Sequence, residues 1–130
     1  MIRTLFIVFS SILFVGCVKK SKTPAQMIEG KWRITSQVLL ASVTPGDGSY
    51  LEFNGCSTNC TGSDFKASDG TLGSFQYILD ESGSQLIIID NSTAGGSYNG
   101  TWDVLELNDD IFRMTTSTSF GNLKIEMNKE

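Results

Sequence analysis

The chain has 130 residues, a formal net charge of −4 and no histidine. This length suits one small domain with a single core. The absence of histidine excludes the usual Ser-His and Cys-His nucleophile systems and removes the commonest zinc and copper ligand. Basic residues outside one short segment are few and dispersed, which argues against nucleic-acid binding.

The first sixteen residues have the three parts of a secretory signal peptide. Arg3 is the charged start, an apolar run covers residues 5–15, and the small residue Gly16 precedes Cys17. The apolar run is shorter than the ~20 residues of a membrane-spanning helix. We therefore predict that residues 1–16 are removed, with an uncleaved membrane helix as the alternative.

The segment Phe14-Val15-Gly16-Cys17 resembles the lipobox of bacterial lipoproteins, although that family usually has leucine where Phe14 stands. The resemblance implies that Cys17 is acylated, becomes the new N-terminus and anchors the protein to a membrane through its acyl chains. Val18, rather than aspartate, after the cysteine is similar to lipoproteins sent to the outer membrane. The implied location is the bacterial cell envelope, on an outer membrane, facing the periplasm.

Residues 17–26 follow as a polar, basic segment. We interpret them as the lipidated cysteine and a flexible tether, and the alternative is a basic patch that contacts anionic lipid headgroups. If Cys17 is acylated, Cys56 and Cys60 remain as a pair in an oxidising compartment, and we predict a disulfide between them. So short a loop contributes only about 2 kcal/mol. A redox-active pair is the alternative, but it usually has two intervening residues rather than three.

The folded part opens with one helical turn over residues 25–29 and a strand from Gly30 to about Ala41. The strand alternates with period two, which predicts that Trp32, Ile34, Val38 and Leu40 share its buried face.

Further short strands follow, separated by turn residues such as Asp69-Gly70, a pair suited to a tight hairpin. They are predicted at residues 50–54, 64–68, 71–79, 85–90, 98–107, 111–116 and 123–129. Within residues 98–107, Trp102 and Val104 have the opposite phase to Leu105 and Leu107, which predicts a one-residue bulge. About eight strands with short connections predict an all-β, antiparallel, up-and-down barrel that closes its first strand on its last. A sandwich would satisfy the same burial pattern.

Gly30-Lys31-Trp32, preceded by a helical turn, resembles the Gly-x-Trp signature of the lipocalins. Residues 102–107 and 123–127 are similar to the lipocalin-like lipoproteins of Bacteroidetes. The resemblance implies a lipocalin-like barrel over residues 27–130 and a basic residue packed across Trp32, for which Arg113 is the candidate. The chain departs from the family in its shorter length, in lacking a Thr-Asp-Tyr type of motif, and in having no long C-terminal helix.

The acidic groupings, such as Asp80-Glu81 and Asp109-Asp110, fall at turns, where solvated side chains are the simplest interpretation. They lack the alternate spacing of a calcium loop. We predict no catalysis, and therefore not an enzyme, with no metal site and no cofactor.

Two functions remain open for a monomeric barrel of this kind. The first is binding of a small apolar or amphipathic ligand in the barrel interior, although inward side chains of so small a barrel could equally fill its core. The second is a non-transporting structural or interaction module that meets an envelope protein or glycan through its outer face or loops, such as residues 91–97. The candidate ligand-lining residues are Ile34, Val38, Phe53, Phe75, Tyr77, Ile88, Trp102 and Met114.

Overall fold

The computed structural model describes residues 21–56, 60–93 and 97–130, so the predicted signal peptide and Cys17 lie outside the described residues. The described part has one short helix, α1 (Pro24–Ile28), followed by β-strands. The strands are β1 (Gly30–Leu39), β2 (Ser42–Pro45), β3 (Tyr50–Phe53), β4 (Thr61–Lys66), β5 (Thr71–Leu79), β6 (Gln85–Ile89), β7 (Gly100–Leu107), β8 (Ile111–Thr118) and β9 (Gly121–Lys129).

The strands form a closed antiparallel barrel with eight strand positions. From β3 onward each strand pairs with the next along the chain, and β9 pairs with β1 to close the barrel. The strands β2 and β3 lie one after the other along the same side of β1 and share one position. The predicted up-and-down barrel with a short N-terminal helical turn is thus confirmed.

The segment between β2 and β3 is a bulge within one barrel position. The Gly46 N–H donates to the Thr35 carbonyl at 2.8 Å, and the Ser49 carbonyl accepts from the Ile34 N–H at 3.0 Å. A Cβ on Gly46 would lie 2.2 Å from the Ile34 carbonyl oxygen, so this close approach requires glycine. The first strand ends at Leu39, slightly earlier than the predicted end near Ala41.

The helix α1 plugs one end of the barrel, which we call the closed end. Thr23 caps the helix and forms a capping box with Gln26. Ile28 is fully buried, and its carbonyl accepts a hydrogen bond from the Trp32 indole N–H at 2.7 Å. The tether was predicted to extend to residue 26, whereas α1 begins at Pro24.

Aromatic rings fill the half of the barrel that lies next to α1. The Phe53 ring lies 5.4 Å from Phe75, 5.0 Å from Tyr77 and 6.0 Å from Phe112, measured between centroids. All these contacts are edge-to-face, the geometry that aromatic pairs favour. The centre of the barrel near Trp32 is consequently packed with side chains rather than hollow.

The predicted bulge in β7 is confirmed. The pairing of β7 with β8 shifts register between Val104 and Glu106, which leaves Leu105 exposed while Leu107 packs against the core. The extra residue brings both apolar segments of this strand to the interior.

A second bulge, in β1, was not predicted. The pairing of β1 with β9 shifts register between Ile34 and Ser36, so that Gln37 lies opposite the buried Ile125 and Val38 lies opposite Lys124. Directly paired residues share a face of the sheet. The prediction that Val38 shares the inner face with Ile34 is therefore wrong.

The basic residue across Trp32 is Lys129, not Arg113 as predicted. The Lys129 Nζ lies 5.0 Å from the Trp32 ring centroid and donates to the Met27 carbonyl at 3.1 Å. Arg113 pairs in register with Glu126 and forms ion pairs with Glu126 and with Glu106. These half-exposed pairs place the guanidinium on the outer face of the barrel.

Cys56 and Cys60 form a disulfide with a Cα–Cα distance of 4.6 Å, as predicted. The bond lies in the connection between β3 and β4 at the closed end, where Cys60 packs against the core. It is a local clasp on that connection. Among the described residues, we find no helix with the length and apolar character needed to cross a membrane.

Candidate functional site

The end of the barrel opposite α1, which we call the open end, contains a polar cleft. In an up-and-down barrel whose β1 leads away from α1, the turns at residues 40–41, 67–70 and 119–120 lie at this end, together with residues 90–93 and 97–99. The cleft has a volume of about 200 Å³, and we refer to it as the mouth cleft. Its lining residues are Gln37, Asp47, Ser49, Asp64, Lys66, Thr93, Ser97, Tyr98, Leu123 and Ile125.

A buried polar network, formed by Asp64, Asn91 and Thr93, lies at one wall of the mouth cleft. The Asp64 carboxyl is only 1% exposed, and its Oδ1 accepts from Asn91 Nδ2 at 3.0 Å. The Thr93 hydroxyl accepts from Asn91 Nδ2 at 3.1 Å and donates to Asp64 Oδ2. Both carboxyl oxygens thus act as acceptors, which offsets part of the cost of burying the group.

A glycine on the neighbouring strand makes room for this network. Gly73 pairs with Asp64, and a Cβ there would lie 2.3 Å from Thr93 Oγ1 and 2.5 Å from Asp64 Oδ1. The adjacent Ser74 holds the loop in place, because its N–H donates to Ser92 Oγ at 2.8 Å and its carbonyl accepts from the Ser92 N–H at 2.9 Å. The β6–β7 loop, predicted as a candidate contact loop, is therefore anchored over residues 91–93, and residues 94–96 lie outside the described residues.

Asp47 supplies a second carboxylate at the mouth cleft. Its Oδ1 accepts from the Ser49 N–H at 3.0 Å, and hydrogen bonding from Ser49, with a smaller contribution from the Lys66 charge, lowers the pKa of Asp47. The buried Ser49 hydroxyl accepts from the Ala67 N–H at 3.0 Å, which ties the bulge between β2 and β3 to the end of β4. The bulge thereby holds Asp47 at the cleft.

Tyr98 presents a phenol to the same cleft. Burial raises the pKa of Tyr98 to about 12, and the negative charges of Asp64 and Asp47 add to this effect. The side chain therefore stays protonated at neutral pH and can donate a hydrogen bond. The Tyr98 carbonyl accepts from the Trp102 indole N–H at 2.9 Å, which connects this residue to the core.

An apolar groove of about 450 Å³ continues from the mouth cleft over the rim of the barrel. It is lined by Gln37, Leu39, Leu40, Ser42, Thr44 and Leu123. Gln37 and Leu123 line both spaces. Leu40 is 71% exposed and the nearby Phe120 is 74% exposed. We call this surface the rim groove, and it places apolar side chains directly beside a polar wall.

The structure does not place the predicted ligand-lining residues at the mouth cleft. Seven of them are buried in the packed core, and Val38 lies on the outer face. The seven are Ile34, Phe53, Phe75, Tyr77, Ile88, Trp102 and Met114. These side chains fill the barrel below the cleft, so the inward aromatic pattern marks the core.

Sequence reasoning missed Asp64 because its strand has an inverted pattern. Asp64 is buried and Gly62 lies on the same face, while Phe65 on the other face stacks on Tyr50 with centroids 5.3 Å apart. An alternation argument would place the phenylalanine inside and the aspartate outside. The available signal was the pair of glycines, Gly62 and Gly73, in adjacent strands, since small inward residues leave space for a polar neighbour.

The acidic groupings considered for chemistry lie elsewhere. Asp80 closes the exposed β5–β6 turn by accepting from the Ser84 and Gln85 N–H groups at 2.8 and 3.0 Å, and Asp109 pairs with Lys22 at 2.9 Å. Residues 21–56, 60–93 and 97–130 contain no cluster of three or more side chains of the types that hold a metal ion.

Comparison with known proteins finds no matching family model, no matching curated protein and no matching solved structure. Function is therefore inferred from the barrel, its open end and the N-terminal sequence.

Proposed function

We propose that this protein is a lipid-anchored lipoprotein of the bacterial cell envelope whose lipocalin-like barrel binds a small amphipathic ligand at its open end. The observation that carries the proposal is the mouth cleft, which continues into the rim groove above a core that is otherwise packed. A space with polar and apolar walls suits a ligand that has both kinds of surface.

The size of the two spaces favours an amphiphile over a large apolar ligand. Pockets for drug-sized molecules usually measure about 300–1,000 Å³, whereas the mouth cleft has about 200 Å³. The cleft can take a headgroup, and the remainder of the ligand would lie along Leu39 and Leu123 in the rim groove.

The position of the helix supports an anchored barrel with an accessible cleft. Thr23 caps α1 at the closed end, so the chain enters the barrel at the end opposite the cleft. An acylated Cys17, six residues before Thr23, would hold that end near the membrane and leave the open end facing the periplasm.

Ligand binding is tested with Gln37→Trp and its neighbour Val38→Trp as a matched control. Gln37 lines both spaces, whereas Val38 lies on the outer face. Calorimetric titration with octylamine, octanoate and octanol should detect binding of at least one probe to the unmodified protein. Gln37→Trp should abolish that binding and Val38→Trp should preserve it. Absence of binding by all three probes, or equal loss in both variants, would contradict the proposal.

The anchor is tested separately with Cys17→Ala in a bacterial host. Loss of both processing and membrane retention is expected, because the thiol that would carry the lipid is gone. Unchanged membrane association of the Cys17→Ala protein would rule out the lipid anchor.

A second function, an interaction module for an envelope protein or glycan, is favoured by one observation. Leu40 and Phe120 project from two turns of the rim and are largely exposed, which is typical of a contact surface. If this function is correct, a Leu40→Ser/Phe120→Ser variant should lose crosslinking to an envelope partner in cells. Unchanged crosslinking would exclude the rim as the contact surface.

A further inference from the structure

We infer that the ligand carries a cationic headgroup, such as a primary amine, which enters the mouth cleft while its apolar part lies in the rim groove. This inference rests on the proposed function and adds the chemical class and the orientation of the ligand. The polar end of the ligand lies innermost, because the polar wall of the mouth cleft is deeper in the barrel than the rim groove.

Asp64 is buried without a positively charged partner. Its hydrogen-bond partners Asn91 and Thr93 are neutral, and none of the ion pairs among the described residues includes Asp64. A carboxylate buried without a cation lacks the compensation that such groups usually have. A positive headgroup in the adjoining cleft would supply it.

The wall of the mouth cleft as a whole has more negative than positive side chains. Asp47 and Asp64 contribute two carboxylates against the single ammonium of Lys66. The Lys66 Nζ is also drawn towards Asp69, 3.9 Å away and outside the cleft. The potential in the cleft therefore favours a cation and opposes a fatty-acid carboxylate.

Neutral hydrogen-bonding groups also line the mouth cleft. Gln37 and Ser49 offer oxygens that can accept from an ammonium group. The Tyr98 side chain also lines the cleft. A phenol oxygen accepts as well as donates, so Tyr98 can take a hydrogen bond from the headgroup.

The experiment compares octylamine, octanol and octanoate by titration calorimetry of the full protein at low ionic strength. Octylamine should bind about tenfold more tightly than octanoate, a difference of about 1.4 kcal/mol, and added salt should reduce this preference. Equal or tighter binding of octanoate would overturn the cationic headgroup while leaving the proposed function intact. No binding of any probe would overturn both.

Two charge variants keep the test independent of folding, because both side chains are at least partly exposed. Asp47→Asn should weaken octylamine binding by about two- to fivefold, as expected for a partly exposed charge pair, and Lys66→Met should strengthen it to a similar extent. The affinity for octanol, which carries no charge, should change less than the affinity for octylamine in both variants. If both variants leave the affinity for octylamine unchanged, the charge of the cleft does not select the ligand and the inference is wrong.

Discussion

The Lys129→Met substitution tests which basic residue stabilises the closed end. Methionine keeps an unbranched apolar side chain but removes the ammonium that lies 5.0 Å from the Trp32 ring and donates to the Met27 carbonyl. A cation-π contact at a partly exposed site contributes about 0.5–1 kcal/mol, and a hydrogen bond contributes about 0.5–1.5 kcal/mol. We expect the free energy of unfolding to fall by about 1–2.5 kcal/mol.

Urea unfolding followed by tryptophan fluorescence measures this change, and Arg113→Met is the matched control. Arg113 makes half-exposed ion pairs with Glu106 and Glu126 on the outer face, where such pairs contribute about 0–1 kcal/mol. The reasoning is refuted if Arg113→Met destabilises the protein as much as Lys129→Met does, because the basic residue inferred from the lipocalin resemblance would then be the important one.

Three further predictions concern Gly73, Asp80 and the disulfide. Gly73→Ala should destabilise the protein by about 1–3 kcal/mol in urea unfolding, because its Cβ would displace the buried polar network. Gly55→Ala is the control: the atoms nearest to its Cβ would belong to the side chain of Glu29, and it should cost less than about 0.5 kcal/mol. Similar costs for the two variants would contradict the contact at Gly73. Hydrogen bonds lower the pKa of Asp80 from 3.8 to about 2, so its stabilisation is present above pH 3.8 and is lost as the pH falls towards 2. When the free energy of unfolding is measured against pH, the Asp80→Asn variant should lose less stability in this interval than the unmodified protein does. An identical loss in both proteins would show that Asp80 does not contribute. Reduction of the disulfide should lower the free energy of unfolding by about 2 kcal/mol. The Cys56→Ser/Cys60→Ser variant should show the same loss without reductant. If reductant still destabilises this double variant, the effect does not come from the disulfide between Cys56 and Cys60.

The local features of the barrel could be predicted because each depends on neighbouring residues. Period-two alternation located the strands, and opposite phases on either side of Val104 revealed the β7 bulge, since apolar residues were present in both phases. The β1 bulge had no comparable signal. Gln37 and Val38 both fit a strand, and the register with β9, far along the chain, decides which of them faces inward.

The candidate site depends on similarly distant contacts. Asp64, Asn91 and Thr93 lie on β4 and on the β6–β7 loop, and each has an ordinary sequence context for a strand or a turn. The contact between these residues is seen only in the folded structure, where Gly73 leaves room for the polar network. Lys129 replaces Arg113 at Trp32 for the same reason, because pairing in the sheet decides the face of each side chain.

The sequence by itself predicted antiparallel strands with short connections, a helical turn before the first strand and a disulfide between Cys56 and Cys60, because periodicity, turn residues and cysteine number can be read from the chain alone. Only the tertiary structure decided that the aromatic interior is packed and that the cleft above it has polar walls. Those properties follow from strand register and from one buried carboxyl group, which are set by contacts between residues far apart in the chain.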